Sequence, residues 1–352
     1  DHRDLHLSLR RQRQMCIRDR FASIVGISRP TISKYFNDAD SVRPTTRLKI
    51  EEALKKYKYR PNIYAINQNR KLTKNIGIIV PYLADPFFAE IARFLERRVL
   101  DFGFTPSLFS AHGDKEIEKT ILDTLRSLRP AGVLLAPLGR ASDKRHIEEF
   151  CRDVPTILFD SNIEGMGEAF IGSDNFSFVS QTVEYLSRTG STPTFFEMSD
   201  PANPNANKRR NAYLAMMKQL ELEPHMVQIE GSGWEFEEIG RAGALKILKQ
   251  DALPTDTILC SNDRLAIGLL SACYELGIRV GREKDSELRV ASHDDHPYSK
   301  FTCPSLTTAA HDYESVASQS VDTLFKLIEA GGRFNNREEK LFAARLIMRD
   351  SA

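Results

Sequence analysis

The chain has 352 residues, 41% of them apolar and 28% charged, enough for two or three separate cores. Its net charge of +1 hides a division: residues 1–75 carry 18 Lys and Arg against 7 Asp and Glu, which leaves 31 against 41 in the rest. An evenly charged body is excluded, and a small basic module that neutralises phosphates is expected, attached to a larger acidic one.

Residues 21–60 give the basic module a shape. The run FASIVGISRPTISKYFND reads as helix, tight turn, helix. Gly26 stands where the turn needs a relaxed φ, Ser28 can cap the second helix, and Pro30 falls in its first turn, where its missing N–H costs little. At 100° per residue Ile32, Tyr35 and Phe36 share one side of that helix, while Arg29, Pro30, Ser33, Lys34 and Asn37 fill an arc of about 140° on the other. The first side packs, and the second offers donors to a major groove. A third amphipathic helix is expected, with Thr45 or Thr46 as cap and Ile50, Ala53 and Leu54 facing inward.

From Ile76 onward apolar runs alternate with amphipathic stretches. Strands are predicted at IGIIV, VLLAP, TILFD, TFFEM, TILCS and LRVAS. Helices are predicted at 86–100, 116–128, 177–188, 207–219, 235–249 and 263–276. Short, continuously apolar strands separated by helices indicate parallel sheets covered on both faces, and about ten such units call for two doubly wound lobes. Polar residues recur just past the strands: Asp160, Asp174, Asn262, Asp263, Asp294 and Asp295. Ligands of such sheets sit at the carboxyl ends of the strands, and short acidic or amide side chains there suit hydroxyl groups.

Several classes are disfavoured. No run of eighteen apolar residues occurs and the arginine-rich start lacks the apolar stretch of a secretory signal, so a cytoplasmic, nucleoid-associated protein without membrane partner is expected. Cys16, Cys151, Cys260, Cys273 and Cys303 form no C-x-x-C pair and fit reduced thiols. The HDDH run at 293–296 cannot converge on one ion from a strand end, so no metal site is assigned. No nucleophile elbow, P-loop, H-E-x-x-H or Gly-rich dinucleotide fingerprint is present, so neither catalysis nor a cofactor is expected.

The strings GISRPTISKYFN, VRPTTRLKIEEALKKYKYRPN and IGIIVP, followed by NDRLAIGLLSACYELGIRV, SHDDHPYSKFTCPSLTT and LIMRDSA, resemble segments of the LacI/GalR-type repressors in the same order. The resemblance runs over about residues 21–352. It implies a small all-α helix-turn-helix head on an α/β body of two doubly wound parallel-sheet lobes, arranged as in periplasmic binding proteins. Residues 21–61 would be the DNA-binding domain and 62–75 a hinge. Residues 76–352 would be a ligand-sensing domain, with lobe one about 76–171 and 311–335 and lobe two about 172–310 and 336–352. Ile17 and Arg20 stand where the family has Thr and Asp, and RRQRQMCIRDR looks like a translated sequencing adaptor, so residues 1–20 are set aside as an artefactual or disordered tail.

The expected function is that of a sequence-specific DNA-binding transcriptional regulator, a repressor, controlled by a small polar effector such as a sugar or sugar derivative. A sugar-binding or sugar-processing protein with an incidental basic head is the alternative. Candidate DNA contacts are Ser28, Arg29, Pro30, Thr31, Ser33, Lys34, Asn37, Thr46, Tyr59, Asn62 and Gln68. Gln68 occupies the place of the family's minor-groove wedge Leu, which makes DNA kinking weaker. Candidate ligand contacts are Asp85, Phe87, Asp160, Arg209, Trp234, Asn262 and Asp294. Arg209 and Trp234 match family positions that donate to and stack on the ligand, although a core Trp is an equal reading from sequence. A homodimer on palindromic operator DNA is the expected assembly, since no heptad extension for a tetramer follows LIMRDSA.

Overall fold

The computed structural model describes residues 21–37, 39–57, 73–202 and 204–352. The chain divides into two compact units, Asp1–Thr73 and Lys74–Ala352.

The first unit is helical. A segment at 21–25 (α1), Arg29–Asn37 (α2) and Pro44–Tyr57 (α3) surround a small core of Phe21, Ala22, Ile32, Ile50 and Ala53. Val25, Ile27, Tyr35, Phe36 and Leu54 pack against it. Gly26 takes φ +66°, which an L side chain rarely adopts, and so turns the chain between α1 and α2. The Ser28 hydroxyl accepts the Thr31 amide (3.4 Å), as the capping pattern predicts. α3 begins earlier than a Thr45 or Thr46 cap would have it. Pro44 is its first residue, and the Arg43 carbonyl accepts both Thr46 N and Arg47 N (2.9 Å each), because proline's fixed φ already suits a first helical turn.

The second unit holds two six-stranded sheets. The first has the order β11-β5-β4-β3-β1-β2 and is parallel throughout, built from Asn75–Val80 (β1), Thr105–Ser110 (β2), Gly132–Leu135 (β3), Thr156–Phe159 (β4), Ala169–Ser173 (β5) and Glu338–Phe342 (β11). The second has the order β12-β10-β9-β8-β6-β7, from Thr194–Met198 (β6), His225–Ile229 (β7), Thr257–Cys260 (β8), Arg289–Asp294 (β9), Thr307–Ala310 (β10) and Arg345–Ile347 (β12), and only β12 runs antiparallel.

Helices cover both sheets. Pro86–Asp101 (α4), Lys115–Leu128 (α5) and Lys144–Asp153 (α6) follow strands of the first; Asn175–Thr189 (α7), Ala206–Gln219 (α8), Phe236–Lys249 (α9) and Asp263–Leu276 (α10) follow strands of the second or lead into it. Tyr313–Glu329 (α11) leaves β10 of the second sheet and packs on α4, β3, β4 and β5 of the first. The chain therefore crosses between the lobes after β5, after β10 and between β11 and β12. Residues 336–352, expected wholly in lobe two, are split by that third crossing, because Glu338–Phe342 completes the edge of the first sheet beside β5.

The βα junctions are capped by short acids and amides. Asp85, Asp114, Asp143, Asp174, Asn262 and Asp312 each accept a first-turn amide of the helix that follows. Caps at strand ends point polar side chains to the side of the sheet where ligands bind, so local helix chemistry already furnishes the cleft.

Candidate functional site

In the second unit, Asp85, Phe87, Asp160, Arg209, Asn262 and Asp294 line one cavity together with Phe88, Asn205 and Arg264. Asp85, Phe87 and Asp160 come from the first lobe, and Arg209, Asn262 and Asp294 from the second. Six of the seven expected ligand residues thus meet. The space they leave is about 20 Å³, roughly room for one water.

The seventh lies elsewhere. Trp234 is buried in an aromatic cluster, its ring stacked on Tyr82 (centroids 5.1 Å apart, 15° between planes) and edge-on to Phe88 and Phe236. Tyr82 belongs to the first lobe and Trp234 to the second, so the ring occupies the cleft wall by packing across it.

At the centre is a buried ion pair. Arg209, 2% exposed, donates from Nη2 to Asp294 Oδ1 (2.5 Å), from Nη1 to the Ser261 carbonyl (2.7 Å) and from Nε to Asn175 Oδ1 (3.4 Å). Burial alone would raise the Asp294 carboxyl, but Arg209 and His311 outweigh it and hold the group well below the usual carboxylate range. Burial lowers His311, which is therefore neutral. Since the ionised Asp294 can only accept, His311 Nε2 carries the proton and donates to it (3.0 Å), while Nδ1 accepts the Ser173 hydroxyl (2.7 Å).

Two further bridges cross the cleft. Arg264 Nη1 meets Asp85 Oδ2 (3.2 Å), and its Nε and Nη2 grip both oxygens of Glu237 (2.6 Å each). Asn205 Nδ2 donates to Asp160 Oδ1 (3.0 Å). Burial pushes Asp85 up to about 6 against the pull of Arg264, and Asp160 up to about 7. Asn262 spends Oδ1 on capping Leu265 N (2.9 Å). Asp160 (φ +59°) and Asp294 (φ +117°) both sit in backbone conformations uncommon for non-glycine residues.

The HDDH run diverges. His293 Nδ1 lies 3.1 Å from the Cys260 carbonyl, Asp294 faces Arg209, Asp295 meets Arg349 (2.6 Å), and His296 Nδ1 accepts Tyr298 N (3.1 Å). Burial lowers His293 to about 3. Asp263, fully buried and raised to about 7 by burial, accepts from His296 N, Ser299 Oγ and Thr308 Oγ1 and so braces the turn instead of facing a ligand. Among the described residues no His, Cys, Asp and Glu group is placed to hold a metal ion.

In the first unit, Ser28, Arg29, Pro30 and Lys34 are exposed, and Thr31, Ser33 and Thr46 are half-buried. Asn37 ends α2. Tyr59, Asn62 and Gln68, like the tail 1–20, lie outside the described residues. No helix among the described residues is long and apolar enough to cross a membrane.

Sequence reading missed Arg264, Glu237, Asn205 and His311. Arg264 directly follows the Asn262–Asp263 pair, the one trace that could have pointed to it.

Residues 20–62 match a family profile described as bacterial regulatory proteins of the lacI family, and residues 183–352 match one described as a periplasmic binding protein-like domain. The HTH-type transcriptional repressor PurR of Histophilus somni is 27% identical over 314 residues, 89% of this chain and 92% of that protein. The ribose operon repressor of Escherichia coli is 26% identical, with 87% and 91% covered. The fold is shared with the Lac repressor bound to ONPG (TM-score 0.79, 24% identity, 94% of this chain and 98% of that one). It is shared as well with a LacI family regulator from Enterococcus faecium with bound ribose (TM-score 0.66, 22% identity, 79% and 98%).

Proposed function

We propose that the chain, a lacI-family DNA-binding segment followed by a periplasmic-binding-protein-like body, is a LacI-type transcriptional regulator that represses transcription under the control of a small polyhydroxylated effector. The observation that carries the proposal is the cavity at the strand ends of both lobes, where Asp85, Asp160, Arg209, Asn262 and Asp294 converge. Carboxylates, guanidiniums and amides at such density recognise hydroxyl groups, and a ligand held by both lobes can shift their relative populations.

Arg29 and Lys34, on the exposed side of α2, read base edges, with Pro30 adding apolar contact. Ser28, Thr31, Ser33, Asn37 and Thr46 hold phosphates. One head makes too few contacts for a genomic address, so two chains act as a homodimer on a palindrome, with Tyr59 contributing from the head and Asn62 and Gln68 from the hinge.

The test has two arms on the full chain. Operator sequences selected from a random pool are bound with an affinity that falls steeply with salt, and a melting-temperature screen over monosaccharides and their derivatives finds one that raises the transition and changes operator affinity. Salt-insensitive DNA binding, or turnover of the bound sugar, refutes the reading.

A further inference from the structure

Around the cavity both guanidiniums are already committed. Arg209 is held by Asp294 (2.5 Å), and Arg264 by both oxygens of Glu237 (2.6 Å each) and by Asp85 (3.2 Å). Asp160 has no such partner. It is 7% exposed, lines the cavity, and takes only the Asn205 amide on Oδ1 (3.0 Å); among the described residues it forms no ion pair within 4.0 Å. Lys208 attracts it from a distance, but that ammonium lies over the Phe170 ring (5.5 Å) and lines a different crevice. Three cavity carboxylates therefore face two guanidiniums, one of which is shared with a fourth carboxylate.

This charge surplus discriminates between ligands. An anion, such as a sugar phosphate or sugar acid, would be buried beside three carboxylates while both guanidiniums of the cavity stay tied to carboxylates, Arg209 to Asp294 and Arg264 to Glu237, which is strongly unfavourable. A neutral sugar can donate hydroxyls to Asp160 but leaves the surplus negative charge buried. An ammonium supplies the missing partner and replaces a neutral amide hydrogen bond with a charge-assisted one.

We propose that the effector is a cationic polyhydroxylated molecule, an amino sugar or related aminopolyol, whose ammonium pairs with Asp160 in place of Asn205. The proposal rests on the reading of this cavity as the effector site. Burial, outweighing the distant pull of Lys208 and Arg209, pushes Asp160 up to about 7, and an ammonium at its second oxygen would return it towards the ordinary carboxylate range.

The experiment is a thermal-shift titration of the full chain with matched sets in the gluco, galacto and manno series: the 2-amino sugar, the unsubstituted sugar, the N-acetyl derivative and the 6-phosphate. One free amine is expected to raise the melting temperature by roughly 5 °C or more at a hundredfold excess over its Kd. Its N-acetyl and unsubstituted counterparts should bind at least about tenfold more weakly, and Asp160→Asn should erase that difference. If Asp160→Asn does not melt cooperatively, Asp160→Glu replaces it, and the amine preference should survive there. A neutral sugar or a sugar phosphate that binds as tightly as its amine overturns the proposal and leaves the effector reading standing. No binding in any set overturns both.

Discussion

Replacing Arg209 tests whether the ion pair at the centre of the cavity is a structural brace as well as a ligand contact. In Arg209→Met, Asp294 keeps only the His311 hydrogen bond at a site where its partner was 2% exposed, and the Ser261 carbonyl and Asn175 each lose a donor. Breaking a buried pair from one side costs about 3–5 kcal/mol. For a body of this size each kcal/mol moves the midpoint by about 2–4 °C, so a fall on the order of 10 °C is expected. Asp294→Leu should cost a comparable amount, because it strands a guanidinium with only the Ser261 carbonyl and the Asn175 amide oxygen. Combining the two removes both charges and leaves the lost bonds to Ser261 and Asn175 and an unpaired His311 N–H, about 2–3 kcal/mol in all. The double variant is therefore expected to be more stable than either single one. Urea unfolding followed by emission of Trp234, the only Trp in the chain and buried in this unit, reads all three. A double variant that loses the sum of the two single costs would show that the groups are not coupled, and the brace would have to be abandoned.

Three shorter tests address other parts. Lys34→Ala should weaken operator binding by roughly 1–3 kcal/mol and relax preference at one position per half-site; an equal loss on random DNA would mean that it touches phosphate alone. Ile50, fully buried in the core of the first unit, should cost about 2–5 kcal/mol as Ile50→Ala and abolish DNA binding, while thermal shifts by effector persist; loss of both together would contradict the division into two units. Burial raises the Asp160 carboxyl to about 7, so its contribution to stability is fully present below about pH 4 and is lost as pH rises through about 7. Asp160→Asn mimics the protonated form, and its urea midpoint should draw ahead of the parent's between pH 5 and pH 8; a constant gap between the two would refute the assignment.

What the sequence revealed followed from how local its causes are. Gly26, Ser28 and Pro30 act on their own turn, and the 3.6-residue spacing of Ile32, Tyr35 and Phe36 is set within one helix, so the first unit was readable. Asp85 and Asn262 were readable for a second local reason: they cap the helices that follow β1 and β8, and capping puts them at the strand ends. Arg264 was not, because a charged residue in a helix's first turn looks the same whether it points to solvent or across a cleft to Asp85. Asn205 follows no apolar run of its own, and nothing in PANPNAN ties it to Asp160. Trp234 stayed undecided because loop aromatics pack or stack with equal ease, and only the fold brings Tyr82 to its face. The third crossing was hidden by composition: Glu338–Phe342 is a mostly exposed, charged edge strand, without the apolar signature of its neighbours.

The same long-range contacts decide how a ligand could act. Ser173 ends β5 at one crossing, and His311 follows β10 at another. The chain Ser173–His311–Asp294–Arg209, at 2.7, 3.0 and 2.5 Å, therefore ties two of the three crossings to the ion pair that lines the cavity. Across the cleft, Arg264 with Asp85, Asn205 with Asp160 and Trp234 with Tyr82 hold the lobes together through side chains of the protein itself. With about 20 Å³ left between them, a sugar-sized molecule cannot be added to this arrangement. It must take over bonds that these side chains now make to one another. A ligand shifts an equilibrium only by its differential affinity for the two states. On the proposed reading of the cavity, the relevant difference is the strength of the ligand's bonds to Asp85, Asp160 and Asp294 set against the Arg264 and Asn205 bonds it displaces. Variants that weaken those internal bridges should accordingly move the response to effector even where they touch no atom of it, and the coupling is reciprocal, so operator binding must change effector affinity by the same factor.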